Sequence, residues 1–106
     1  MSFIAMNRFR VALDRGEDFE NIWKNRESRL KELKGFQEFR LLKGPQTEDH
    51  ILYSSHVIWD SREDFEAWTD SQQFRDAHKN AGGNRSEGVI LGHPQFEGFE
   101  TVMFEN

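Results

Sequence analysis

The chain has 106 residues, enough for a single domain over 1–106 with a small core, and its formal net charge is −5. That balance gives no basic field to draw in nucleic acid or anionic membranes. The absence of cysteine excludes disulfides, zinc–thiolate sites, thiol nucleophiles and covalently attached c-type haem. No apolar run reaches the ~18 residues of a membrane span, and the N-terminus has no apolar run with a basic flank, so a cytoplasmic protein without a signal peptide is expected. Ten Phe and three Trp stand beside one Tyr, a supply of flat apolar rings suited to a core and to a pocket for a flat apolar ligand.

Residues 2–12 alternate as a strand. Phe3, Ala5, Asn7, Phe9 and Val11 share one face, with Met6, Arg8 and Arg10 on the other, so Asn7 is a polar amide on an apolar face. Asp14-Arg15-Gly16 breaks the strand. A helix is predicted over 17–34: Phe19, Ile22, Trp23, Leu30 and Leu33 recur at helical spacing, acids lead, bases trail, and Gly35 marks the stop. Arg26 falls along the apolar stripe of that helix. A second strand is predicted over 36–43, followed by a polar turn beginning at Gly44-Pro45, and a third strand over 50–59.

Ser61 and Asp64 have the spacing of a capping box and open a helix that carries Phe65 and Trp68. Asp70 and Gln73 repeat that spacing and open a shorter helix with Phe74, Ala77 and His78. Residues 80–92, with four Gly, read as a mobile loop in which Gly82-Gly83 and Gly88 give hinge-like freedom or a plain flexible connection. A last strand is predicted over 93–104. The order β-α-β-β-α-β is the ferredoxin-like split βαβ pattern of an α+β fold.

Asn7, Trp68 and His78 are the residues that could carry chemistry. Each also has an ordinary role: Asn7 as a partner for a backbone group, Trp68 as core, His78 as a surface or satisfied imidazole. Taken alone they indicate a polar contact and an imidazole near an aromatic wall. His50 and His93 lie near strand starts and read as surface residues, and His56 lies on the strand face of Leu52 and Ile58. No phosphate loop, Ser-His-Asp order or metal-binding acidic cluster is present.

The segment WDSREDFEAWTDSQQFRDAHKN, with ten residues from Trp68 to His78, resembles the Trp- and His-bearing helices of the IsdG-type haem-degrading monooxygenases in the antibiotic-biosynthesis-monooxygenase superfamily. The opening FIAMNRFRV is similar to that family's first strand with its Asn. The resemblance implies a dimeric α+β barrel formed by a homodimer, with one haem pocket per subunit. Haem would be both substrate and oxygen-activating cofactor, and an external electron donor, a reductase or small reductant, would be required.

It further implies His78 as axial ligand to the haem iron, Asn7 as a distal hydrogen-bond donor to iron-bound oxygen, and Trp68 as the residue that presses on and ruffles the macrocycle. Arg26 would either meet a haem propionate or snorkel to water. Two rivals keep the fold: a cofactor-free monooxygenase of the same superfamily acting on a polycyclic aromatic substrate, and a non-catalytic haem carrier.

Overall fold

The computed structural model describes residues 2–26, 29–71 and 88–106. Strand β1 (Phe3–Val11) and strand β3 (Ile51–Trp59) form the antiparallel centre of a four-stranded sheet, in register from Phe3 opposite Trp59 to Val11 opposite Ile51. Their odd-numbered residues are the apolar set that alternation assigns to one face: Phe3, Ala5, Phe9, Val11, Ile51, Tyr53, Val57 and Trp59 are all buried. Strand β2 (Phe36–Gln46) pairs with β3, and strand β4 (Gln95–Glu100) pairs with β1, giving the order β2-β3-β1-β4.

Helix α1 (Gly16–Lys24) and helix α2 (Arg62–Thr69) pack on the odd-numbered face, Phe19 against Phe9 and Tyr53, and Trp68 against Trp59. The chain therefore has the expected ferredoxin-like α+β fold. No helix among the described residues is long and apolar enough to cross a membrane.

Four predicted boundaries differ. The helix expected over 17–34 stops at Lys24; Leu30–Glu32 form a separate 3-10 turn entered through Arg29 in the left-handed region (φ 52°). The stop has a packing reason: Phe19 belongs to one core cluster and Leu30 to another, and a straight helix could not serve both. Gly44-Pro45 do not end the second strand. They lie inside β2, where the pairing shifts register between Lys43 and Gln46. Because β2 is an outer strand, it accommodates an irregularity and a residue without an N–H.

The end of the expected loop is anchored, since Val89 is fully buried, Ala12 N–H donates to its carbonyl (2.8 Å), and Ile90 bridges Val11. Strand β4 stops at Glu100 because its partner β1 begins at Phe3, opposite Glu100, leaving Val102, Met103 and Phe104 exposed. The short helix expected to carry Phe74, Ala77 and His78, and the glycines Gly82 and Gly83, lie outside the described residues.

Two side-chain contacts fix the helices. Ser61 Oγ accepts from the Asp64 N–H (3.2 Å), as the cap spacing predicts. The buried Tyr53 hydroxyl donates to Glu20 Oε2 (2.5 Å) and ties α1 to β3. Burial, reinforced by the Glu20 carboxylate, pushes the Tyr53 phenol up from 10.0 to about 12.

Tyr53 is the single tyrosine, so phenolate absorbance reports it directly. A phenol that ionises at a higher pH in the folded chain adds stability in full below about pH 10, and loses it as the pH rises to about 12. The alkaline unfolding of wild type should therefore be steep in that window and flatter in Tyr53→Phe. A folded-state phenol titrating near 10.0 would contradict this.

Candidate functional site between two aromatic clusters

The helix-covered face of the sheet carries two separate cores. One gathers Phe3, Ala5, Leu30, Val57, Trp59 and Trp68; the other gathers Phe9, Val11, Phe19, Ile51, Tyr53 and Val89. Between them runs one cross-strand row, Leu41–Ser55–Asn7–Phe96, one residue from each strand. The two central members are polar. Ser55 is buried at 3% exposure, and Asn7 is half-buried. This strip of sheet face, termed the cleft below, sets polar groups between two apolar clusters, a lining suited to a flat, mostly apolar molecule with one polar feature.

The two ends of the cleft differ. At the β2 end Trp23, on the second cluster, stacks on Phe39, on the first (5.5 Å between centroids, 21° between planes), and bridges the walls. At the β4 end Phe96 stacks on Phe65 (5.5 Å, 10°), and no ring contact joins the clusters there among the described residues.

The Arg26 guanidinium lies 4.7 Å from the Trp23 ring centre. It sits in the segment that follows α1 rather than on the helix itself. Its Nε is buried without a hydrogen-bond partner, and desolvation holds its pKa below the usual 12.5, although a guanidinium stays charged at neutral pH. A buried N–H left unmatched is costly, which makes this position receptive to an anionic oxygen.

Trp68 ends the inner face of α2 and is 8% exposed, with its ring 5.5 Å from Trp59 and 6.1 Å from Phe65. It is a wall of the first cluster, on the same side of the sheet as Asn7. His56 faces the other way, between Met6 and Arg40 on the face away from α1 and α2. His50 lies in the β2–β3 turn beside Thr47, and His93 is exposed before β4. His78, the fourth histidine, lies outside the described residues.

No cluster of metal-ligating side chains occurs among the described residues. A shallow depression of about 350 Å³ is lined by Arg15, Asp18, Asn21, Ile22 and Asn25; it includes neither Asn7 nor Trp68 and has no aromatic wall.

Alternation alone did not single out Ser55, Trp23, Phe39 or Phe96. Ser55 had a readable signal, since it interrupts the apolar positions of β3 as Asn7 interrupts those of β1. That the two interruptions are neighbours depends on strand register.

The family model for antibiotic biosynthesis monooxygenase matches residues 2–80. The chain belongs to the antibiotic biosynthesis monooxygenase family. A heme-degrading monooxygenase of Bacillus mycoides is 32% identical to it over 59 residues, 56% of this chain and 55% of that protein, so the chain spans about half the length of this curated relative.

Among solved structures, the heme-degrader MhuD of Mycobacterium tuberculosis, with two hemes bound in its active site, superposes with a TM-score of 0.72 at 24% identity, covering 98% of this chain and 99% of MhuD. SnoaB of Streptomyces nogalater, a cofactor-independent oxygenase, superposes with a TM-score of 0.66 at 15% identity, covering 97% of this chain and 95% of SnoaB. Both likenesses are of fold.

Proposed function

We propose that this family member is an IsdG-type enzyme that opens the haem macrocycle with molecular oxygen, forming a bilin-type product and releasing iron. The observation that carries the proposal is the Asn7–Ser55 row set between two aromatic walls, with Trp68 in one of them. The residues fit haem as a substrate. The rings offer flat apolar contact, and the unmatched buried Arg26 Nε offers a partner for a propionate.

Haem itself supplies the oxygen chemistry, and electrons come from an external reductant. His78 would hold the iron, and the placement of His56 on the opposite sheet face and of His50 in the β2–β3 turn supports that choice over those two histidines. Asn7 would donate a hydrogen bond from its amide to the reacting oxygen, and Trp68 would press on the ring. The 32% identity to a heme-degrading monooxygenase supports haem over a cofactor-free reaction.

The same proposal places a second copy of the chain on the sheet face away from α1 and α2. Half-buried Ile4, Met6, Leu52 and Ile58 and exposed Leu42 and Phe99 lie there among the ion pairs Arg8–Glu97 and Arg40–Glu38.

Titration with ferric haem tests the binding half of the proposal. Wild type should take up about one haem per subunit with the Soret band of histidine ligation, and His78→Ala should lose or greatly weaken that spectrum. An unchanged spectrum in His78→Ala would remove His78 as ligand. His56, on the opposite sheet face from Asn7, could not then replace it in this cleft.

A further inference from the structure

We propose that Phe96 and Phe65 form an aromatic ledge at the β4 end of the cleft, on which the outer edge of the flat tetrapyrrole rests, an inference that builds on the haem proposal above. The backbone of Phe96 stands directly beside Asn7 in the β1–β4 register, and its ring leans from there toward Gly98 and Phe65, at the border between the polar row and the first cluster. It is 52% exposed although it lies on the helix side of the sheet. Its ring is nearly parallel to that of Phe65 (10°), and Phe65 is in turn held by Phe3 (5.2 Å), Trp68 (6.1 Å) and Trp59 (6.5 Å).

The ledge is therefore one free aromatic surface braced from behind by the first core cluster. The next residue of β4 on this face is Gly98, where a side chain would collide with Phe3 (a Cβ would come 2.6 Å from its Cζ), so β4 places no second side chain next to Phe96. Among the described residues the β2 end is bridged by Trp23 and Phe39, while at the β4 end the half-exposed Phe96 ring offers a flat surface to a planar molecule. A ring-on-ring contact of this kind adds modestly to affinity and constrains the plane of the ligand.

Haem titrations of wild type, Phe96→Ala and Phe96→Trp, with Leu13→Ala as a control for loss of an exposed apolar side chain elsewhere, test the ledge. Haem should bind Phe96→Ala about three- to tenfold more weakly than wild type. Phe96→Trp, which restores a flat surface, and Leu13→Ala should bind like wild type. Thermal melts should be alike, because Phe96 is half exposed.

Wild-type affinity in Phe96→Ala would overturn the ledge while leaving the haem proposal standing, as would Phe96→Trp binding as weakly as Phe96→Ala. Sedimentation of the same variants separates the other occupant. If Phe96→Ala shifts the oligomeric state without changing haem affinity, the ring belongs to a subunit contact and the ledge is overturned. A wild type that forms no haem complex would overturn the haem proposal and the ledge with it.

Discussion

Asn7→Ala is expected to keep haem binding largely intact while slowing ring opening by at least about tenfold, and by up to about a thousandfold, the range for removing one preorganised donor. The side chain is a neutral amide. It cannot act as a base at neutral pH, and its NH₂ can donate a hydrogen bond. Its position is fixed by backbone pairing to Ser55 on one side and Phe96 on the other, so truncation leaves β1 in place and removes only the donor. The comparison should be made at saturating haem, where occupancy is equal. Equal turnover by wild type and Asn7→Ala would show that this amide takes no part in the reaction.

Trp68→Ala is expected to cost about 3–5 kcal/mol of stability, the range for emptying a buried aromatic site. Trp68 is 8% exposed and packs against both Trp59 and Phe65, so a cavity there touches the centre of the first cluster. In a domain of this size such a loss is a large share of the total. Urea unfolding measures it, and a loss below about 1 kcal/mol would contradict the core role. Trp68→Phe, which keeps a ring in the cluster, is the variant in which to look for a flatter bound macrocycle without a fall in folded population.

The central strands were legible because each buries one face. In β1 and β3 the odd residues are apolar, and the breaks in that rule, Asn7 and Ser55, mark the cleft. The break in α1 was hidden, because Leu30 and Leu33 continue the helical spacing of Phe19 and Trp23 while packing into the other cluster; periodicity reports an apolar stripe and not which core it enters.

Pro45 signalled a turn because its tolerance depends on β2 being an outer strand, a fact of strand order. Val89 lay in a glycine-rich stretch, and only its contacts with the end of β1 show that it is core. Phe104 continued the pattern of β4 in a segment that no longer has a partner strand. The aromatic bridge of Trp23 and Phe39 and the ledge of Phe96 arise from side chains distant in sequence, and no local pattern encodes them.

Aerobic incubation of the wild-type protein with haem and a competent electron donor, followed by identification of the products, tests haem degradation most directly. The expected result is loss of the Soret band with appearance of a bilin-type product and free iron. A stable haem complex that yields neither, with the donor shown to reduce the bound haem, would contradict enzymatic degradation and leave a protein that only carries haem.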